Sequence, residues 1–231
     1  MAPDKPIAEA RWPALLIDGS AADVFAGVPD GSGSRLVGQP GGQPALEGLF
    51  PAVERALNAA TVELGMIRGF IYCQGPGSVL GLRLCAMAVE TWRRTVPGDV
   101  PCFGYDSLQL TAALLLNDQS APSDALLVSD WKRGAWNAVR IEGGCRRPTE
   151  TLEDPVLKQY KGPIFHLPQR KGWQPPPENA IPLSYEPERL PEVMRIPGIL
   201  NRTQGVELHA SAAPAFRKWQ PERHRAPPPQ E

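Results

Sequence analysis

The segment Gln74–Arg83 contains three glycines and directly follows the apolar run Phe70–Cys73. Glycines between a strand and a helix let backbone N–H groups approach an anion closely, and the N-terminus of the helix favours negative charge. Gly75, Gly77 and Ser78 are therefore candidates for a loop that faces a phosphate or nucleotide. The same residue types also suit a tight strand-to-helix turn capped by the Ser78 hydroxyl, and the residues alone favour this structural interpretation.

Known phosphate and nucleophile motifs do not match this loop. A dinucleotide fingerprint requires glycine where Leu80 stands, a Walker loop requires a Gly-Lys pair, and a nucleophile elbow requires glycine in place of Pro76. No histidine lies nearby in the sequence to activate Ser78. We therefore assign no catalytic residue.

Patterns for metal binding and disulfides are missing from the sequence as well. The 3 histidines occur without an H-E-x-x-H or H-x-x-x-H spacing, and the 4 cysteines form no C-x-x-C pair. We predict no metal site, reduced cysteines, and core positions for Cys73, Cys85 and Cys102.

Length and charge limit the classes of function. A chain of 231 residues allows one large or two small domains, at roughly 100–200 residues per domain. The 24 Lys and Arg against 25 Asp and Glu give a net charge of -1, which argues against binding RNA or an anionic membrane through overall charge. Four tryptophans with basic neighbours offer an RNA-stacking alternative, but partly buried aromatic side chains are the preferred interpretation. They are Trp131, Trp136, Trp173 and Trp219.

The sequence indicates neither a membrane span nor a signal peptide. No apolar run approaches the ~18 residues of a transmembrane helix, and residues 1–12 lack the basic-then-apolar order of a signal peptide. We expect a soluble cytoplasmic protein without membrane contact.

The elements that must position these residues follow from hydrophobic periodicity. Three strands joined by hairpins come first, and helices then alternate with strands before a final hairpin. The predicted strands are Ala14–Asp18, Asp23–Val28, Arg35–Gln39, Phe70–Cys73, Cys102–Tyr105, Ala125–Asp130 and Ala135–Ile141. The predicted helices are Ala45–Leu64, with Pro51 as a kink or late start, Val79–Arg94, and Leu108–Leu116 with Ser107 as its N-cap.

This order matches a half-domain of the α/β actin-like ATPase (ribonuclease H-like) fold, a mixed sheet in which an antiparallel meander extends into parallel strands with helical crossovers. Prolines divide the chain, with 11 in residues 1–147 and 16 in residues 148–231, so the second domain is expected to be reduced. It should hold short strands at Pro163–Leu167 and Ile181–Ser184 and a helical turn near Glu188–Arg195. We predict an extension at 1–13, half-domains at 14–120 and 121–215, and a disordered tail at 216–231.

Asp18 ends the first predicted strand, where actin-like ATPases place a carboxylate that faces metal or phosphate. Asp18 and the nearby Ser20 therefore join the candidate phosphate-facing residues. A solvent-facing aspartate that starts a turn is the commoner arrangement and the preferred one. Asp130 has the same ambiguity, with a hairpin cap as its default role.

Gly75–Arg83 (GPGSVLGLR) resembles the GPGSFTGLR signature of the TsaB (YeaZ) family. Gly19 and Leu80 stand where that family has threonine, so the resemblance is to a divergent member. Weaker similarities occur elsewhere along the chain. Leu16–Ser20 resembles the family's opening L-D-T-S, Leu49–Val53 its L-x-P pattern, Asp130–Gly134 its D-A-R-x-G turn, and Ala215–Trp219 its closing Y-L-R.

The resemblance implies an actin-like ATPase fold and a non-catalytic scaffold subunit of the machinery that makes threonylcarbamoyladenosine at position 37 of tRNA. It implies pairing through the first two helices with a TsaD-like catalytic subunit or with a second copy, and only indirect contact with tRNA. No cofactor is expected to be intrinsic, and any ATP or ADP with Mg²⁺ is expected at a shared interface. The alternatives are a stand-alone actin-like ATPase or phosphotransferase using Asp18 and Gly75–Gly77, and a paralogous scaffold with another protein partner.

The second predicted helix supports a partner surface independently, because Arg83 is the only charged residue in Val79–Val89. At about 100° per residue, one apolar face packs on the sheet and another must also be covered. The preceding helix could cover it within the chain, and a protein partner is the sharper alternative. The predicted sheet-facing residues are Leu82, Cys85, Ala86 and Val89; the predicted partner interface is Leu46, Leu80, Leu84, Met87 and Ala88.

Overall fold

The structure of the protein, a computed structural model, describes residues 12–29, 36–40, 42–118, 122–168 and 174–208. The first half of the chain forms its helices and strands in the predicted order. They are β1 (Ala14–Asp18), β2 (Phe25–Pro29), β3 (Leu36–Pro40), α1 (Ala45–Ala60), β4 (Gly69–Gly75), α2 (Val79–Thr95), β5 (Cys102–Asp106) and α3 (Ser107–Asn117).

The second half contains the predicted hairpin and several short elements, only some of which were predicted. The hairpin is β6 (Ala125–Lys132) and β7 (Ala135–Glu142). The short elements are β8 (Cys145–Arg146), β9 (Glu150–Glu153), α4 (Asp154–Gln159), β10 (Ile164–Leu167), β11 (Ile181–Pro182), α5 (Leu190–Val193) and β12 (Asn201–Thr203). Of these, β10, β11 and the turn that includes α5 were predicted.

The two sheets share one strand order, apart from β12, which comes from the second half of the chain and extends the first sheet beyond β5. The first sheet runs β12-β5-β4-β1-β2-β3, with β1 parallel to β4 and antiparallel to β2. The second runs β11-β10-β6-β7-β8, with β6 parallel to β10 and antiparallel to β7. Strand β9 pairs with β7 as β3 pairs with β2. Each sheet thus combines an antiparallel meander with parallel crossover strands.

The crossovers of the second sheet are short, in agreement with the proline content of this part of the chain. Helix α4 has 6 residues, against 16 in α1 at the equivalent position. Residues 174–180, the described part of the connection between β10 and β11, contain no helix. Proline removes a backbone donor and clashes with the preceding turn, so long helices are disfavoured here.

The hydrophobic core has several layers, and α3 connects them. Helices α1 and α2 cover one face of the first sheet. On the other face, Leu110 and Leu114 of α3 pack beside α5, while Leu108 and Ala112 pack against the second sheet. Because apolar residues surround α3, it is buried between the two sheets. Among the described helices, none is both long and apolar enough to cross a membrane.

Two predicted helix features are corrected by the structure. Helix α1 includes Pro51 within a single helix, and it ends at Ala60 rather than Leu64 because Thr61 takes a left-handed conformation with φ 57°. The predicted cap of α3 is also wrong. Asp106 is the N-cap, since its Oδ1 accepts a hydrogen bond from the Gln109 N–H at 2.9 Å, and Ser107 is the first helical residue.

The segment 201–208 closes one edge of the first sheet. Strand β12 pairs antiparallel with β5, and the chain then crosses over the buried Tyr72. The Glu207 N–H donates to the Tyr72 hydroxyl at 2.9 Å, and the Gln74 side-chain amide donates to the Glu207 carbonyl at 3.1 Å. This segment therefore fixes the end of β4 that leads into the glycine loop.

Candidate functional site

The glycine loop packs directly against the turn that follows β1. A Cβ atom on Gly77 would lie 2.5 Å from the Cβ and carbonyl oxygen of Ser20, and one on Gly81 would overlap the Gly19 carbonyl oxygen. The Ser78 N–H donates to the Ser20 carbonyl at 2.8 Å. The glycines are thus needed for close contact between two backbone segments, and the space beside Gly77 is filled by Ser20.

Ser78 caps α2 as predicted. Its hydroxyl accepts a hydrogen bond from the Gly81 N–H at 3.3 Å. This bond satisfies one of the backbone donors that the first turn of a helix leaves unpaired. The loop that contains Gly75, Gly77 and Ser78 is therefore a tight strand-to-helix turn capped by the Ser78 hydroxyl.

Asp18 is enclosed in the protein, so the preferred interpretation of a solvent-facing aspartate is wrong. Its side chain is 1% exposed. Oδ1 accepts from the Ser20 N–H at 2.7 Å, and Oδ2 accepts from the hydroxyls of Tyr105 and, at 2.5 Å, Tyr185. Both carboxylate oxygens are occupied by donors of this chain.

The groups around Asp18 are held in their protonated forms. Burial, and then the negative charge of Asp18, raise the pKa of both the Tyr105 and the Tyr185 hydroxyl well above the ordinary value. The same two causes, in the same order, raise the pKa of the Cys73 thiol. The hydroxyls therefore remain hydrogen-bond donors, and the thiol lacks the thiolate character of a nucleophile.

Nucleotide and Mg²⁺, the ligands considered for Asp18 and the glycine loop, do not fit this arrangement of hydrogen-bond donors. A phosphate or metal at Asp18 would have to displace the tyrosine hydroxyls, and a phosphate at Gly77 would meet Ser20. In the part of the chain that the structure describes, no group of three or more His, Cys, Asp or Glu side chains is arranged to hold a metal ion.

In the second sheet, Asp130 and its neighbours are buried at the ends of the strands. Asp130 is 2% exposed and pairs across the hairpin with Trp136, whose indole N–H donates to Asp154 at 2.7 Å. Burial lowers the pKa of His166, partly offset by the charge of Asp130. His166 packs edge-to-face on Trp136 at 5.7 Å between ring centroids.

An RNA-stacking surface does not form from the tryptophans that the structure describes. Trp136 is in the core, and the Lys132 ammonium lies 4.1 Å above the ring of the partly exposed Trp131. Trp173 and Trp219 lie outside the described residues.

Helices α1 and α2 expose five large apolar side chains, which we call the α1–α2 patch. Three of them, Leu46, Leu80 and Met87, belong to the predicted partner interface and are 64%, 60% and 68% exposed. Phe50 and Val79 are exposed to a similar degree. The Phe50 ring packs edge-to-face on Trp92 of α2 with a centroid distance of 5.9 Å, so the exposed face of α1 lies against α2.

The assignment of faces on α2 is corrected at Ala88. Ala88 is buried in the core because it lies three residues after Cys85, about 60° away around the helix. Leu84 is half-buried and packs against the same core. The outward face of α2 therefore centres on Leu80 and Met87.

Phe50 and Tyr185 are among the side chains of these sites that were not identified from the sequence. Phe50 lies four residues after Leu46, so helical spacing could have placed it on the same face. Tyr185 offers no comparable signal, since its contact with Asp18 joins residues 167 positions apart.

The chain is similar to known proteins in sequence and in fold. The family model described as TsaD: tRNA N6-adenosine threonylcarbamoyltransferase matches residues 44–163. YeaZ from Pseudomonas aeruginosa superposes with a TM-score of 0.54 at 18% identity, covering 77% of this chain and 89% of that chain. An uncharacterized protein with similarity to peptidase YEAZ from Pseudomonas aeruginosa gives 0.55 at 18% identity, covering 78% and 88%. The comparison with curated proteins finds no significant match.

These comparisons confirm the α/β actin-like ATPase fold and the resemblance of the chain to the TsaB (YeaZ) family. The family model spans just over half of the 231 residues, from α1 to the end of the segment that precedes β10. The chain therefore belongs to the TsaD family, as a divergent TsaB-like member with the fold of YeaZ.

Proposed function

We propose that the protein is a non-catalytic scaffold subunit that supports a TsaD-like transferase in forming threonylcarbamoyladenosine on tRNA. Membership of the TsaD family connects the chain with the biosynthesis of this modified nucleoside. Beyond that connection, we propose the role of the chain in the process, its partner, and the surface that binds the partner.

The α1–α2 patch is the observation that carries the proposal. Five large apolar side chains on two adjacent helices are 60% or more exposed. Burying a side chain of this size fully contributes about 1.5–3 kcal/mol, and exposed apolar patches commonly mark protein interfaces. The patch offers a docking surface for a TsaD-like subunit, or for a second copy of this chain when that subunit is absent.

The surroundings of Asp18 favour a scaffold over an enzyme. A phosphotransferase needs an accessible carboxylate and an open phosphate loop, whereas Asp18 is hydrogen-bonded to two tyrosines and the loop at Gly77 is filled by Ser20. In our proposal, ATP or ADP with Mg²⁺ is held at the interface shared with the partner, mainly by groups of the partner, and tRNA is contacted indirectly.

Reconstitution tests this role. Threonylcarbamoyladenosine formed on tRNA is measured with a TsaD-like protein and its other required components, with and without this chain. We expect modification to require the chain and to be lost with Met87→Glu. Val156→Glu is the matched control, because Val156 is 48% exposed on α4 outside the patch. Full modification without the chain, or with Met87→Glu, would contradict the proposal.

Affinity purification from the native cell extract distinguishes the remaining alternative, a scaffold with another partner. The proposal predicts that a TsaD-like protein is retained by the wild-type chain and by Val156→Glu, and is lost with Met87→Glu. Retention of a different protein through the same patch would assign the scaffold to another process.

A further inference from the structure

A segment from the second half of the chain closes a crevice in the first sheet. Tyr185 lies between β11 and the turn at Pro187–Arg189. Its hydroxyl donates to Asp18 at 2.5 Å and lies 3.9 Å from the Cys73 sulfur. Tyr185 is partly exposed as a residue, while its hydroxyl is enclosed beside the buried Asp18 and Cys73.

The covered crevice is at the position where sheets of this kind bind ligands. The chain proceeds from β1 to β3 on one side and from β4 to β5 on the other, so the direction of strand order changes between β1 and β4. Ligands of open α/β sheets bind beyond the carboxyl ends of the strands at such a point. The residues gathered there are Asp18, Ser20, Cys73 and Tyr105, all buried.

The covering segment is attached by the side chains of Leu183 and Tyr185, which pack against the neighbouring cores, and not by a continuous ladder of backbone hydrogen bonds. Residues 183–186 have no regular secondary structure, and Ser184 is exposed. The Leu183 N–H donates to the His166 carbonyl at 2.8 Å, and Glu186 forms an ion pair with Arg189 at 3.0 Å. Segments with little regular hydrogen bonding open locally at lower free energy than a sheet.

We propose that residues 183–186 are a hinged cover, and that outward movement of Tyr185 exposes Asp18, Ser20 and Cys73 in one polar cleft while both sheets stay folded. In the closed state, the Tyr185 hydroxyl occupies the position from which a polar atom of a ligand would contact Asp18. This device is independent of the α1–α2 patch and of the role proposed above.

Thiol modification tests the cover, because Cys73 reports on the crevice and Cys102, buried at the opposite end of β5, reports on the core. The background variant Cys145→Ser removes the exposed thiol, leaving three buried cysteines. Modification of each by 5,5′-dithiobis(2-nitrobenzoate) is followed at pH 8, with Cys73→Ser identifying the relevant signal. We expect Tyr185→Ala to accelerate modification of Cys73 by about tenfold or more, because it removes both the hydrogen bond to the charged Asp18 and the ring that covers the crevice. The rate at Cys102 should not change.

Two further variants separate a local cover from general destabilisation. Tyr185→Phe keeps the ring and removes the hydroxyl, so the ratio of the Cys73 rate to the Cys102 rate should rise by less than in Tyr185→Ala. Tyr160→Ala, which removes a partly exposed tyrosine beside α4, should leave that ratio unchanged. An unchanged Cys73 rate in Tyr185→Ala, or equal acceleration of all three thiols in both Tyr185 variants, would overturn the proposal.

Discussion

At the scale of single residues, the glycines at 77 and 81 are required by contact rather than by unusual backbone angles. Neither has a positive φ, and each lies where a Cβ would collide with the turn after β1. Their role is to bring α2 close to β1, which also positions the Ser78 cap.

Gly77→Ala should therefore destabilise the protein by about 1–3 kcal/mol, the usual cost of overpacking. Gly65→Ala is the matched control, since a Cβ at Gly65 meets open space. Urea unfolding measures both free energies. If Gly77→Ala is as stable as Gly65→Ala, the close contact with Ser20 is not present in solution.

His166 makes stability depend on pH. Burial lowers its pKa below the ordinary value of about 6.5, so the unfolded chain binds a proton more readily than the folded one. This contribution to stability is present above about pH 6.5 and is lost as the pH falls toward the lowered pKa. His166→Phe should lose less thermal stability than wild type between pH 7 and pH 5. Parallel pH profiles of the two proteins would refute this role.

Contacts between neighbouring residues could be predicted from the sequence, whereas contacts between distant residues could not. The Ser78 cap depends on a contact three residues away, and it was correctly predicted. The environment of Asp18 depends on Tyr105 and Tyr185, 87 and 167 residues away, so local pattern could not identify it.

At the scale of elements, α2 has to satisfy two surroundings at once. Cys85 and Val89 pack on the sheet, while Leu80 and Met87 remain exposed on the opposite side. Leu84 stands between the two surfaces and packs against the core.

This difference predicts different effects on stability for glutamate at Leu84 and at Met87. Leu84→Glu should lower the stability of the isolated chain, because it places a carboxylate against apolar neighbours. Met87→Glu should leave the stability within about 0.5 kcal/mol of wild type, as is usual at an exposed site. Circular dichroism during thermal unfolding compares them. Equal losses in both variants would show that Met87 is covered within the chain.

Element length determined how well the fold could be predicted. Helices α1 and α2, with 16 and 17 residues, have enough turns for periodicity to identify them. Strands β8 and β12, with 2 and 3 residues, are too short to show alternation. Ala88 was misplaced on the outward face although helical spacing puts it about 60° from Cys85, on the core side.

At the scale of the whole molecule, two sheets that share one strand order apart from β12 are joined through α3 and through Tyr185. The fold class followed from element order alone, because the meander and crossovers of the first half are regular. The predicted domain boundaries stay a prediction.

The closed crevice predicts that the isolated protein hydrolyses ATP no faster than a buffer control with Mg²⁺. The reason is that no phosphate or metal reaches Asp18 while both tyrosines are bound to it. Release of inorganic phosphate measures the rate. Turnover that disappears in Asp18→Ala would favour the phosphotransferase alternative instead.

The central claim, a partner surface on α1 and α2, is tested most directly by sedimentation velocity with the TsaD-like protein and with the chain alone. Our account predicts that Met87→Glu abolishes association and sediments as a folded monomer, because the new carboxylate would be buried unpaired in an apolar interface. Val156→Glu should associate like wild type. A folded Met87→Glu variant that associates as fully as wild type would contradict the account.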